Sequence, residues 1–286
     1  MNTQKPKVRL MGEILFHPDY SSNSTRKPKN FSWSMDEGET EVWIDRGIMA
    51  AAEQPHHRRK FGWVMESKGI RPQVAMWLKE RYLDVLPQFQ AIFTGDQELL
   101  DLDSRFKFVF PNSVLPWVPE SEYNIYPKTK LCSMIASHKQ MCPGHLLRWQ
   151  VAGKCIESGR VDVMGGAHGT PKFGTESSVV HPDKSAGLKD YMFSVVMENS
   201  SYDHYFTEKL TECFALGTVP IYWGCPSIGK YFNPDGIITL NDDFDISSLN
   251  ADLYYGMMPA IKDNLERVKN LKGSDDYMWD TCFSKL

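Results

Sequence analysis

Residues 193–226 read FSVVMENSSYDHYFTEKLTECFALGTVPIYWGCP. The apolar run Tyr191–Met197 predicts a strand buried on both faces, since it lacks the alternation of a half-exposed one. It delivers Glu198-Asn199-Ser200 to a loop holding Tyr202, His204 and Tyr205. Thr207–Leu216 predicts a helix stopped at Gly217, and Val219–Trp223 predicts a second buried strand. The helix opens on Glu208 and Lys209. A glutamate there is common capping chemistry, but a lysine sits against the positive end of the helix dipole. An anion bound at the free N–H groups would account for it, because a lysine adds a point charge suited to phosphate oxygens. Glu208 would then accept hydroxyl hydrogen bonds from a ribose, and Tyr205 would stack on a base. Spacing alone leaves open the alternative of an exposed helix start with an ordinary Glu and Lys.

Working outward, the same strand–helix–strand rhythm recurs on both sides. Strands are predicted at Val8–Phe16, Glu41–Ile44, Phe61–Met65, Phe89–Phe93 and Phe106–Phe110, with a helix over Gln73–Leu86. Pro111, Pro116, Pro119 and Pro127 then punctuate a boundary. Beyond it, strands are predicted at Leu131–Ala136, Val161–Val163 and Ile237–Leu240. Helices are predicted at Gly144–Ile156, Ile246–Leu253 and Gly256–Leu271. This alternation predicts α/β layers on mostly parallel sheets, with ligands beyond the carboxyl ends of the strands. At 286 residues, the chain suits two domains of roughly 140 residues each. The division is set at 1–120 and 121–286, with a cleft between the two.

Composition narrows the function. The formal net charge is −4, so nothing draws the chain toward nucleic acid. The basic run His56–Lys60 is read as a solvated loop. No segment approaches the roughly 20 apolar residues of a membrane span, and a cytoplasmic location is expected. The 6 cysteines include no Cys-x-x-Cys pair and read as small buried hydrophobes. The histidines show no His-x-x-x-His spacing, so no metal site is assigned. His168, within Gly165-Gly166-Ala167-His168-Gly169, is either a ligand contact or simple loop structure. Neither Gly-x-Gly-x-x-Gly nor a phosphate-loop motif occurs.

The 193–226 segment resembles the donor-binding motif of the α-1,3/α-1,4-fucosyltransferases. Glu198-Asn199-Ser200, Tyr205-Phe206-Thr207-Glu208-Lys209-Leu210, Gly217 and Pro220-Ile221-Tyr222-Trp223-Gly224-Cys225-Pro226 follow its order without a gap. Phe232-Asn233-Pro234 and Asp242-Asp243-Phe244 continue the likeness. The resemblance implies a GT-B-like fold of two Rossmann-like domains, the first acceptor-side and the second holding the nucleotide sugar. It implies an inverting glycosyltransferase that moves fucose from GDP-fucose to a glycan hydroxyl. Glu198, Asn199, Tyr205, Glu208 and Lys209 would line the donor site. Arg148 is matched to the family's basic residue after the first strand of the second domain, with His138 standing where the family carries Asn. Fainter matches lie at Trp63–Ser67, with Lys68 in place of the family's proline, and at Gln90–Arg105.

Chemistry adds a requirement for a base to take the acceptor proton. Glu66, just past a buried strand, is the first candidate, with Asp96 and Glu98 behind it. Lys209 and Arg148 would balance the charge on the leaving nucleotide. No cofactor is implied beyond the donor itself, although a divalent cation would be compatible with pyrophosphate departure. Two further readings stay open: a related transferase using another nucleotide sugar, and a carbohydrate-binding protein on an inactive transferase fold.

Overall fold

A computed structural model describes residues 5–12, 26–54, 59–110, 114–171 and 184–285. The chain divides into two units. The first comprises Met1–Val114, Asp203–Tyr205 and Lys272–Leu286; the second comprises Leu115–Tyr202 and Phe206–Leu271. The boundary thus falls at 114/115, and the C-terminal residues 272–286 belong to the first unit rather than the second.

The first unit is built on a parallel sheet of β1 (Lys7–Gly12), β2 (Ser32–Ser34), β3 (Thr40–Ile44), β4 (Arg59–Trp63), β5 (Ala91–Thr94) and β6 (Phe106–Phe108), in the order β2-β1-β3-β4-β5-β6. The two-residue period of a strand splits its side chains between two cores. Val42, Ile44, Phe61, Trp63 and Phe93 face one side and meet Met278 and Phe283 from the C-terminal residues. Trp43, Val64 and Ile92 join the other, against Ile48 of α1 (Arg46–Ala52) and Val74 and Leu78 of α2 (Pro72–Val85). Two elements had no sequence expectation. β2 is only three residues long, and α1 follows directly on a strand without a capping side chain. The expected solvated reading of the basic run is corrected at Lys60. Its side chain is buried, and its ammonium donates to Ala51 O at 2.8 Å and Gln54 O at 3.3 Å, where α1 ends. Residues 56–58 of that run, and 13–16 of the first expected strand, lie outside the described residues.

The second unit carries β7 (Lys130–Ile135), β8 (Asp162–Met164), β9 (Tyr191–Met197), β10 (Val219–Trp223) and β11 (Ile238–Thr239). They form one parallel sheet ordered β11-β10-β9-β7-β8. Helices α4 (Pro143–Ser158) and α5 (Glu208–Ala215) connect β7 to β8 and β9 to β10. The expected helix over Ile246–Leu253 is broken, because Asn250 caps a new helix, α6 (Ala251–Gly256), through Leu253 N–H. Helix α7 (Met258–Lys269) follows. Gly217 ends α5 as expected: its φ is 68°, and a Cβ there would lie 2.8 Å from Ile125 Cα. Two α/β units, each on a parallel sheet, meet the GT-B-like expectation for fold class. In the second unit the chain reverses direction across the sheet between β7 and β9. In open α/β sheets, ligands bind beyond the carboxyl ends of the strands at such a reversal.

Candidate functional site

The site grows out of the carboxyl end of β9. Glu198 follows the strand immediately and is wholly buried, its N–H donating to Trp223 O at 3.0 Å. Its carboxylate accepts from Thr207 N–H and from the Thr207 hydroxyl, both at 2.8 Å. Thr207 caps α5, so Glu198 fixes the height at which that helix begins. Lys209 Nζ then lies 3.0 Å from Thr207 Oγ1, 3.4 Å from Glu208 Oε1 and 3.6 Å from Glu198 Oε2, with its side chain 26% exposed. The alternative of an ordinary exposed helix start is therefore overturned: Glu198 and Glu208 are buried, and Lys209 is held among them.

Two residues without a sequence signal complete the cluster. Lys184 Nζ sits 3.4 Å from Glu208 Oε1 and 3.7 Å over the Trp117 ring. Glu212, one turn along α5, accepts from Trp117 N–H at 3.1 Å. Burial pushes Glu198 up and lifts Glu212 to about 7. Burial would also raise Glu208, but Lys209 and Lys184 overcome it and hold that carboxylate below its ordinary value. Lys209 is held charged by Glu208 and Glu198 against the opposing effect of burial. Lys184 and Lys209 thus pair with Glu208, and Arg148 is near enough to oppose the charge on Lys209.

Arg148 arrives from α4. It is 5% exposed, and Nη1 donates to Met197 O, the last residue of β9, at 3.3 Å. A solvent-facing helical arginine is thereby excluded, and its planar fork is at the carboxyl end of β9. Asn199 is gripped by the first turn of the same helix. His145 Nε2 lies 3.0 Å from Asn199 Oδ1, and Cys142 Sγ donates to Asn199 O at 3.4 Å. A Cβ on Gly144 would fall 2.2 Å from that same carbonyl oxygen. Gly224 is needed for a similar reason, since a Cβ there would meet Tyr222 Oη at 2.4 Å and Glu198 Cγ at 2.6 Å. The Tyr-Trp-Gly-Cys run is therefore a packing requirement around Glu198.

One expected contact is corrected. Tyr205 is 1% exposed and belongs to the first unit, so it has no open face on which a base can stack. His168 is also occupied: Nε2 lies 2.8 Å from Trp149 O and the two rings are 4.1 Å apart.

Within the first unit, Glu66 follows β4. Its N–H donates to Asp45 Oδ1 at 3.2 Å, and its Oε1 accepts from Ser67 N–H at 2.8 Å. Asp45 also accepts from Met65 N–H at 2.9 Å. The competing candidates serve structure. Asp96 caps α3 (Gln97–Leu100) and pairs with Lys68 at 2.8 Å, while Glu98 pairs with Lys79. Among the described residues, no cluster of three His, Cys, Asp or Glu groups is placed to hold a metal ion, and no helix is long and apolar enough to cross a membrane. All six cysteines are free thiols.

Residues 125–255 match the family model for the glycosyltransferase family 10 (fucosyltransferase) C-terminal domain. The chain is 38% identical over 60 residues to the alpha-(1,3)-fucosyltransferase FucT of Helicobacter pylori, which is 21% of this chain and 13% of that protein. It is 39% identical over 57 residues to the GDP-fucose protein O-fucosyltransferase 3 of Bos taurus, covering 20% and 12% of the two. A putative fucosyltransferase of Acanthamoeba polyphaga mimivirus is 26% identical over 161 residues, 53% of this chain and 23% of that one. The matches therefore span less than a quarter of these relatives' lengths. Among solved structures, an alpha1,3-fucosyltransferase superposes with a TM-score of 0.51 at 16% identity, over 96% of this chain and 83% of that one. At that identity the likeness is one of fold.

Proposed function

We propose that the chain, whose residues 125–255 match the glycosyltransferase family 10 (fucosyltransferase) C-terminal model, is a fucosyltransferase that transfers fucose from GDP-fucose to a carbohydrate hydroxyl with inversion. The observation that carries this reading is the Glu198–Thr207–Lys209 network at the β9/α5 junction. It presents an ammonium, a helix start and the Arg148 guanidinium at the end of a parallel sheet. In this reading Lys209 and Arg148 bind the pyrophosphate and stabilise the negative charge that develops on GDP as the sugar–phosphate bond breaks. Glu208 meets the ribose, and Asn199 adds a hydrogen-bonding amide beside it.

Glu66 acts as the base. As the acceptor oxygen attacks the anomeric carbon from the face opposite the phosphate, Glu66 takes the hydroxyl proton, and GDP departs with the bonding electron pair. The acceptor is a glycan or glycoside held by the first unit.

The test is calorimetric or thermal-shift titration with GDP and UDP, followed by assay with GDP-fucose. Stabilisation by GDP and not by UDP supports the reading. A preference for UDP would turn it toward another nucleotide sugar. Binding of GDP without transfer to any acceptor would favour an inactive carbohydrate-binding protein.

A further inference from the structure

His145 occupies the first turn of α4, is buried, and takes no part in the chemistry proposed above. Both its ring nitrogens are engaged. The Met141 backbone N–H points at Nδ1 from 3.2 Å, so Nδ1 accepts. Nε2 must then carry the proton, and it donates to Asn199 Oδ1 at 3.0 Å. The amide oxygen of Asn199 is therefore turned onto the imidazole. Among the described residues, no protein group accepts from Asn199 Nδ2. Asn199 itself is half-buried at the carboxyl end of β9. The grip on this residue is not limited to the imidazole. Cys142 holds its carbonyl oxygen, and the missing Cβ of Gly144 lets the helix come down on it.

We infer that His145 is a positioning residue for donor binding: it fixes the Asn199 amide so that the NH₂ group, and not the oxygen, faces the ligand. The Asn199 position then selects a hydrogen-bond acceptor, such as a ribose hydroxyl oxygen or a phosphate oxygen of the nucleotide. The inference rests on the donor reading above. A protonated ring would turn Nδ1 into a donor facing the Met141 N–H. Burial, with Arg148, Lys139 and Lys209 adding to it against the Asn199 hydrogen bond, pushes the imidazole down to about 4 and keeps it neutral.

The experiment is GDP titration by calorimetry on the whole chain and on His145→Leu, His145→Gln, Asn199→Ala and the His145→Leu/Asn199→Ala pair. His145→Leu is expected to weaken GDP about tenfold, the scale of a lost buried hydrogen bond. His145→Gln keeps a donor in place and should return within about threefold, which also guards against the leucine variant failing to fold. In the Asn199→Ala background, His145→Leu should add nothing further, because its effect runs through that amide. A nitrogen-detected NMR spectrum should show the neutral Nε2–H tautomer down to pH 5.5. Effects that multiply in the double variant, unchanged affinity in His145→Leu, or an Nδ1–H tautomer would each overturn the inference. If the unsubstituted chain does not bind GDP, the donor reading falls, and the tautomer then decides the His145 geometry by itself.

Discussion

Asp45 holds a left-handed backbone, φ 47°, that few non-glycine residues adopt. Its carboxylate is buried and receives the N–H groups of Met65 and Glu66, and burial lifts it to about 6 despite those bonds. A carboxyl group raised in the fold binds its proton more tightly there than in the unfolded chain. Stability therefore falls as pH rises from about 4 through 6, and stays reduced above that. Asparagine keeps the accepting oxygen without the charge. Asp45→Asn should have a melting temperature that gains on the parent's as pH goes from 4 to 7, by the equivalent of up to about 3 kcal/mol. A constant gap across that range would refute the shift. Two side chains of the proposed chemistry separate in the same way. Lys209→Ala should abolish GDP binding in a thermal-shift titration. Glu66→Gln should bind GDP normally while losing transfer by 10²-fold or more, and retained turnover would rule out Glu66 as the base. Of these residues, Glu66 and Lys209 were legible in the sequence, because each directly follows or opens a strongly patterned element. Lys184, Glu212 and His145 were not. Each meets its partner, Glu208, Trp117 and Asn199 in turn, from far away in the chain.

At the scale of elements, the second unit is locked by one buried ammonium. Lys128 precedes β7, and its three N–H groups are shared among Leu188 O, Lys189 O, Leu216 O and Thr218 Oγ1, at 2.9–3.3 Å. It thereby joins the approach to β9 with the turn between α5 and β10. Leu188 O keeps the Thr218 hydroxyl and the Tyr191 N–H, but removing Lys128 takes a donor from Leu216 O and Lys189 O, and an unsatisfied buried carbonyl costs about 1–3 kcal/mol. Lys128→Met should lower unfolding stability by roughly 2–4 kcal/mol in a urea titration, and an unchanged midpoint would show that water takes its place. The start of α4 is a second such joint. Gly144→Ala forces a Cβ against Asn199 O, a backbone atom that cannot rotate away. It should weaken GDP by about tenfold or more. Wild-type affinity in that variant would mean the helix shifts freely. The helix and strand positions around these joints were readable from periodicity, and Tyr191–Met197 and Val219–Trp223 match residue for residue. β2 and the break before α6 were not, since three residues carry no period and Asn250 acts only as a cap.

On the whole-molecule scale, the two units keep separate cores. Phe283 packs edge-on against Phe31, Phe61 and Phe93 of the first unit, at centroid distances of 5.4, 5.1 and 5.8 Å. Phe283→Ala should cost about 3–5 kcal/mol of stability, while GDP affinity stays within twofold, because every donor-site side chain proposed here belongs to the second unit. A large loss of affinity in that variant would show that the donor site depends on the first unit's core. The sequence by itself determined the α/β class, most strand positions and the strand-to-helix segment from Glu198 to Lys209, because periodicity and local order report on neighbours along the chain. Only the tertiary structure decided that Tyr205 is packed away, that Lys184 and Glu212 join the charge cluster, that residues 272–286 return to the first core, and that the start of α4 holds Asn199. Those outcomes depend on burial and on contacts between segments tens to hundreds of residues apart, and no local pattern encodes them.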